Sequence, residues 1–199
     1  MKRLLSLALL LALLAGCASQ RSAPASLYDF GALPASAPAA APRMPPLVIA
    51  DVSGPAALDT QSMYYRLNYA DPLQARPYAN NRWNSTPLQM LTQRFKARMA
   101  QAGVKVLALT DASSGSLLLR VEVDDFSHTF DSTTQNYGQV VLRASLFQGH
   151  RLIDQKTFDR KAASTSADAA GGARTLAVVS DTIAADMLTW ITSLPLPKE

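Results

Sequence analysis

Few residues in this 199-residue chain are of a type that does chemistry. Glu122, Asp124, Asp125 and Asp131 lie close together and could in principle bind calcium or act as a carboxylate pair. A calcium loop needs oxygen ligands at alternating positions around a turn glycine. That spacing is absent, so a solvated strand face followed by a loop is expected. His128 and His150 are the two histidines, and neither has a nucleophile of motif quality nearby. The chain contains no Gly-x-Ser-x-Gly elbow and no His-Glu-x-x-His zinc motif. Both histidines are expected at the surface or in a hairpin. Gly171-Gly172 precedes an apolar stretch, but a phosphate-binding loop would continue with Gly-Lys-Ser or Gly-Lys-Thr. The pair reads as a flexible entry into a helix. One Cys allows neither an internal disulfide nor a multi-thiolate metal site. No enzyme activity, cofactor or metal is expected.

Cys17 itself stands at the end of a recognisable segment. Lys2 and Arg3 are followed by the apolar run Leu4 to Leu14 and then by small residues. An apolar helix of that length rises about 16 Å, against a hydrocarbon core of about 30 Å. It is too short to span and reads as a secretory signal. Its close, Leu14-Ala15-Gly16-Cys17, resembles the bacterial lipobox. There the thiol takes a diacylglyceryl group, the signal is cut between Gly16 and Cys17, and the new amino terminus takes a further chain such as palmitate. Each buried methylene is worth about 0.8 kcal/mol and one chain binds only marginally, so three chains hold a protein permanently. Inner-membrane retention is signalled by Asp after the Cys. Here Ala18 follows, which implies an outer-membrane anchor facing the periplasm. The Asn84-Ser85-Thr86 glycosylation pattern carries no meaning in such a protein.

The formal charge is +4, and Lys2 and Arg3 of the signal account for two of those charges. No nucleic-acid footprint is expected from what remains. Ala18 to Pro46 contains 9 Ala, 6 Pro and 4 Ser, too little apolar bulk for a core, and favours extended conformations with a reach of about 90 Å. Within it, Leu27-Tyr28-Asp29-Phe30-Gly31 is aromatic enough that it could dock as a short strand. The expected organisation is a signal at 1–16, an anchor and tether at 17–46, a folded domain at 47–194 and a tail at 195–199.

The elements of the domain follow from periodicity. Leu47 to Val52 and Met63 to Leu67 read as strands, and Asp71 to Asn84, with two Pro and three Asn, as a loop or irregular edge. Ser85 or Thr86 caps a helix with Pro87 in its first turn, carrying Leu88, Leu91, Phe95 and Met99, and Gly103 ends it. Val104 to Leu109 is a further strand. Leu117, Leu119, Val121 and Val123 share one face, the alternation slips at Asp124-Asp125, and Phe126, His128 and Phe130 then share a parity. A bulge is expected there, inside a strand that runs to Phe130. Gln139–Phe147 and Leu152–Phe158 form a hairpin around Gln148-Gly149-His150. A last helix carries Leu176, Val179, Ile183, Met187, Trp190 and Leu194. The fold class is α/β, one domain, with a mixed sheet of five or six strands packed by two long helices.

Tyr64, Tyr65, Tyr78 and Trp83, with Phe126 and Phe130, could line an apolar groove for lipid or a partner surface. The alternative is packing within core and loops. Both readings stand at this point.

Several stretches together resemble the ABC-type transport auxiliary lipoproteins, the family of the intermembrane transport lipoprotein of the paraquat-inducible operon. They are Tyr28-Asp29-Phe30-Gly31, Gly54-Pro55 with Leu58-Asp59, Met63-Tyr64-Tyr65-Arg66-Leu67, Tyr78 with Arg82-Trp83, Phe126 to Asp131, Gln155 with Phe158, and Ser166 to Ala170. None is a catalytic motif, and the resemblance covers most of the mature chain. It implies a non-enzymatic lipoprotein working with an inner-membrane ABC transporter and a periplasmic protein of the mammalian-cell-entry type, in systems that move lipid between membranes. Cys17 would anchor the domain at the outer membrane while an exposed face docks the partner, and a ring or other homo-oligomer would suit a tubular partner. The alternative is a structural or assembly lipoprotein that stabilises another envelope complex without handling lipid.

Overall fold

Leu117–Phe130 is the spine on which the other elements are laid. A computed structural model describes residues 24–35, 41–111 and 115–196; the expected signal peptide, Gly16 and Cys17 lie outside them. In chain order the strands are β1 (Ser26–Tyr28), β2 (Leu47–Ile49), β3 (Ser62–Leu67), β4 (Asp71–Trp83), β5 (Val106–Leu107), β6 (Leu117–Phe130), β7 (Asn136–Gln148) and β8 (Arg151–Ala163). Two helices, α1 (Pro87–Gln101) and α2 (Ala169–Ser193), complete the single α/β domain.

The sheet is mixed, curled and forked. Along one side of β6 runs β7, antiparallel over the whole length, with β8 beyond it. The other side is shared: β2 pairs parallel with Leu117 to Leu119, and β3 pairs parallel with His128 to Phe130. β5 extends the first branch, and β4 and then β1 extend the second. Between the branches the β6–β7 register shifts between Val123 and Asp125. The expected bulge forms there, and it reverses which parity faces the helices, from the odd positions up to Val123 to Phe126, His128 and Phe130.

Eight strands form where five or six were expected. The main addition is β4, whose proline and asparagine content reads as a loop. It forms a strand because residues 71–80 lie beside β3 only, at a sheet edge, where a proline without an N–H costs no ladder bond. β1 forms at the aromatic segment singled out in the tether, pairing with Asn81 to Trp83, and Phe30 enters the core. Pro34 accepts a hydrogen bond from Gln101 at 2.9 Å. The stretch from Ser26 to Pro34 is therefore bound to the domain, and the 90 Å reach of a loose tether is not available to it. β5 is shorter than expected because Val104 donates back to Met99 at the helix end and Leu109–Asp111 turns into a 3-10 helix.

Thr86 caps α1, accepting from Gln89 N–H at 3.3 Å, with Pro87 in the first turn where no N–H is needed. Asp168 caps α2, accepting from Gly171 N–H at 2.7 Å. Gly171 and Gly172 thus lie inside the first turn of α2 and are not a flexible entry. A Cβ on Gly171 would sit 2.2 Å from the carbonyl oxygen of Ser166, and one on Gly172 would sit 2.5 Å from the His128 ring. α2 packs across β6, β7 and β8, α1 packs on β2 and β5, and the helices touch each other. Leu117, Leu119, Leu142, Leu146, Phe95, Ile183 and Met187 fill the space between.

Candidate functional site

The bulge in β6 turns His128 inward, and it is 1% exposed. The expectation of a surface histidine is corrected for this reason; His150 does sit exposed in the β7–β8 turn. Nε2–H of His128 donates to Oδ1 of Asn136 at 2.7 Å. That leaves Nδ1 as the acceptor, and it takes the hydroxyl proton of Tyr78 at 2.8 Å. Burial lowers the pKa of His128, outweighing the Asn136 hydrogen bond and the charge of Asp168, so the ring is neutral at neutral pH. Burial also pushes the Tyr78 hydroxyl up, helped by Tyr65 and Asp168. Gly172 lies against the ring, which closes it from above. The arrangement joins β4, β6, β7 and α2. It holds elements together and gives a substrate no access to the imidazole.

The four carboxylates singled out in the sequence are dispersed. Arg143 donates to Glu122 at 2.6 Å on the solvated sheet face, Ser127 donates to Asp125 at 2.8 Å, and Asn68 donates to Asp131 at 2.8 Å. Asp124 is exposed at the bulge. Among the described residues no group of three or more His, Cys, Asp or Glu is arranged to hold a metal ion.

The six aromatic candidates fall into two clusters and one isolated ring. Trp83, 2% exposed, packs edge-on against Phe30 at 6.0 Å and at a tilt against Phe126 at 5.7 Å, inside the core. Tyr65 lies 4.6 Å from Tyr78 and 6.0 Å from Phe130, and Phe130 lies 4.5 Å from His128. Tyr64 is half-buried on the wall of a cleft of about 180 Å³ with Arg66, Asp124 and Asp125. The structure brings together Tyr65, Tyr78 and Phe130, and separately Trp83 and Phe126. The stretches that carry the family resemblance converge here as well, since Phe30, Leu58, Met63, Trp83 and Phe126 share the core around them.

Two features of the fold are not predicted by the sequence. Asp181 of α2 accepts from Arg94 at 2.6 and 2.7 Å and also from Arg98, so two guanidiniums of α1 clamp one carboxylate. Burial alone would raise the Asp181 pKa, but the hydrogen bonds from Arg98 and Arg94 and their charges hold it below the usual carboxylate range. Arg94 also donates to the carbonyl of Gly31 at 2.9 Å, strapping the segment after β1 to the helix. The signal was present as Arg94 and Arg98 one turn apart on α1, but their partner lies in another helix. The second feature is an open groove of about 800 Å³ between that segment and α1, lined by Phe30, Leu33 and Leu88 together with Asp29, Asp51 and Asp59. Among the described residues no helix is long and apolar enough to cross a membrane.

A family model described as the ABC-type transport auxiliary lipoprotein component matches residues 28–187. The chain belongs to this family. As an ABC-type transport auxiliary lipoprotein it is a component associated with an ABC transport system, and its place is the cell envelope. Protein XCC0632 from Xanthomonas campestris, described as DUF330, is similar in fold with a TM-score of 0.71 at 19% identity, over 84% of this chain and 95% of that one. The hypothetical protein CT253 from Chlamydia trachomatis has a TM-score of 0.51 at 8% identity, over 76% of this chain and 97% of that one. At these identities the likeness is one of fold. No curated protein shows significant similarity to this auxiliary lipoprotein. Its match begins at Tyr28, in β1, so the docked segment belongs to the family region.

Proposed function

We propose that this protein is anchored through Cys17 in the outer membrane, faces the periplasm, and docks the mammalian-cell-entry-type partner of an inner-membrane ABC transporter for lipid transport. The family match across residues 28–187 carries the reading. The lipobox resemblance at Leu14-Ala15-Gly16-Cys17 and the Ala18 that follows it support the membrane and its side. The role is physical: the chain has no phosphate-binding loop of its own, and ATP hydrolysis belongs to the transporter. Of the six aromatic candidates, Tyr64, Tyr65 and Tyr78 retain partial exposure and are available to a partner or lipid, whereas Trp83, Phe126 and Phe130 are buried. A cyclic homo-oligomer would present these surfaces with the symmetry a tubular partner requires.

The test is crosslinking in living cells followed by affinity purification of the full-length protein, with Cys17→Ser as the unanchored control. Recovery of a mammalian-cell-entry protein or its permease, dependent on Cys17, is the expected result. Recovery of outer-membrane assembly or cell-wall proteins alone would replace the transport role with the structural one.

A further inference from the structure

The β3–β4 hairpin ends in a tip whose apolar side chains have no neighbours to cover them: Leu73 is 90% exposed and Tyr69 is 50% exposed. Taking the anchoring of Cys17 as read, we infer that this tip is where the domain touches the lipid interface of the membrane that holds the Cys17 chains. The direction of β1 supplies the argument. It runs parallel to β4 with Ser26 beside Asn81 and Tyr28 beside Trp83. The chain therefore enters the domain from the side on which β4 leads back to Asp71 and the hairpin tip.

The lengths agree with the direction. Cys17 precedes Ser26 by nine residues, which reach about 30 Å when extended. From Asn81 back to Asp71, β4 covers about 33 Å at about 3.3 Å per residue. A segment of that length lets the lipid chains on Cys17 come level with the tip but not far past it, so the membrane that holds them is within reach of the tip.

The tip is firmly built. Asn68 Nδ2–H donates to Asp131 at 2.8 Å, Ala70 N–H donates to Leu67, and Leu73 N–H donates to Asp71 at 2.9 Å. Strand addition is a poor account of the exposed leucine, because β4 carries Pro72 and Pro77 and its pairing with β3 is irregular between Asp71 and Ala75. Arg66 and Arg76 lie just behind the tip, while its carboxylates, Asp71 and Asp131, accept the hydrogen bonds just named. An aromatic and an aliphatic tip backed by arginines suits the boundary between acyl chains and anionic headgroups.

Cys17 is the single cysteine, so once it is acylated a cysteine placed at position 73 is the sole free thiol. Full-length acylated protein carrying Leu73→Cys is labelled with an environment-sensitive fluorophore. It is then reconstituted into phosphatidylethanolamine/phosphatidylglycerol vesicles that contain nitroxide-labelled lipid. Leu152→Cys is the comparison, since Leu152 is exposed and pairs with Phe147 at the far end of β7. Neither substitution touches the core. Side chains at such an interface settle about 5–10 Å into the boundary, so roughly twofold or greater quenching is expected at position 73. None is expected at position 152. Equal signals at the two positions in protein that floats with the vesicles would overturn the inference and leave the anchoring intact. Protein that does not float, with Cys17 unmodified by mass, would remove the anchoring reading itself and the inference with it.

Discussion

Tyr78 and His128 are 50 residues apart in sequence and share a 2.8 Å hydrogen bond in which the phenol donates to Nδ1. The direction of that bond is set from the other side of the ring, where Nε2–H is committed to Asn136. The edge strand β4 is thereby tied to the centre of the sheet by a group that works only while neutral. Protonation of His128 would set an N–H against the Tyr78 hydroxyl in a site closed by Gly172.

Stability should consequently fall on mild acidification. In the unfolded chain His128 titrates near 6.5, and burial lowers it in the fold. Between those two values the unfolded chain binds more protons, so the contribution is complete above 6.5 and is lost as the pH drops below it. Each unit of lowering is worth about 1.4 kcal/mol. Urea midpoints measured at pH 7.5 and pH 5 should differ more for the native protein than for His128→Gln. Tyr78→Phe should cost about 1–3 kcal/mol at pH 7.5, because it leaves Nδ1 of the buried His128 without a donor.

Gly172 and His128 should be energetically coupled, because a Cβ on Gly172 meets the imidazole 2.5 Å away. Gly172→Ala overpacks this contact and is expected to cost about 1–3 kcal/mol. In a His128→Ser background the same change meets empty space and should cost less. Denaturation of the two single variants and the double variant gives the coupling, and full additivity would mean that the glycine is needed for another reason.

These contacts show which parts of the fold could be read along the chain. The parity slip at Asp124-Asp125 marks the bulge because alternation is a local property, and for the same reason Thr86-Pro87 marks the start of α1. β4 was illegible, since proline and asparagine signal a loop unless the strand is known to lie at an edge. The burial of His128 depends on Tyr78, Asn136 and Gly172, which come from three other elements. The aromatic candidates were visible as residue types. Their division between core and partly exposed cluster depends on which strand of the fork each one occupies.

The clamp between the helices yields a prediction with two parts. Asp181→Asn leaves Arg94, 7% exposed at its side chain, and Arg98 without their counter-charge, and about 3 kcal/mol of stability should be lost, the lower end for a buried pair because Asp181 and Arg98 keep some exposure. Because the Asp181 pKa is lowered by its partners, the native protein should also lose this contribution as the pH falls below the ordinary carboxylate value of 3.8. Acid unfolding monitored by circular dichroism should then begin at a higher pH for native protein than its stability at pH 7 alone would indicate, and Asp181→Asn should lack that component. Arg94→Lys differs from Arg98→Lys in a way that hydrogen exchange can detect. Arg94 also holds the carbonyl of Gly31, so its replacement should speed exchange in residues 29–33, whereas that of Arg98 should not.

Phe30 provides the last prediction, because it lies well before the folded region that composition suggests and still belongs to the core. Its ring meets Trp83 at 6.0 Å and Phe126 at 6.1 Å, one from the end of β4 and the other from just after the bulge in β6. Removing it opens a cavity at the place where the second branch of the sheet joins the spine. Phe30→Ala is expected to cost about 3–5 kcal/mol. A chain beginning at Leu47 should lose at least as much, since it also loses the pairing of β1 with β4 and the bond from Arg94 to Gly31. A chain beginning at Ser22 keeps all three and should match the full mature protein in its urea midpoint. Equal stability of the Leu47 and Ser22 chains would mean that the segment rests on the domain without contributing to it, and the route from membrane anchor to sheet would then have to be a loose one.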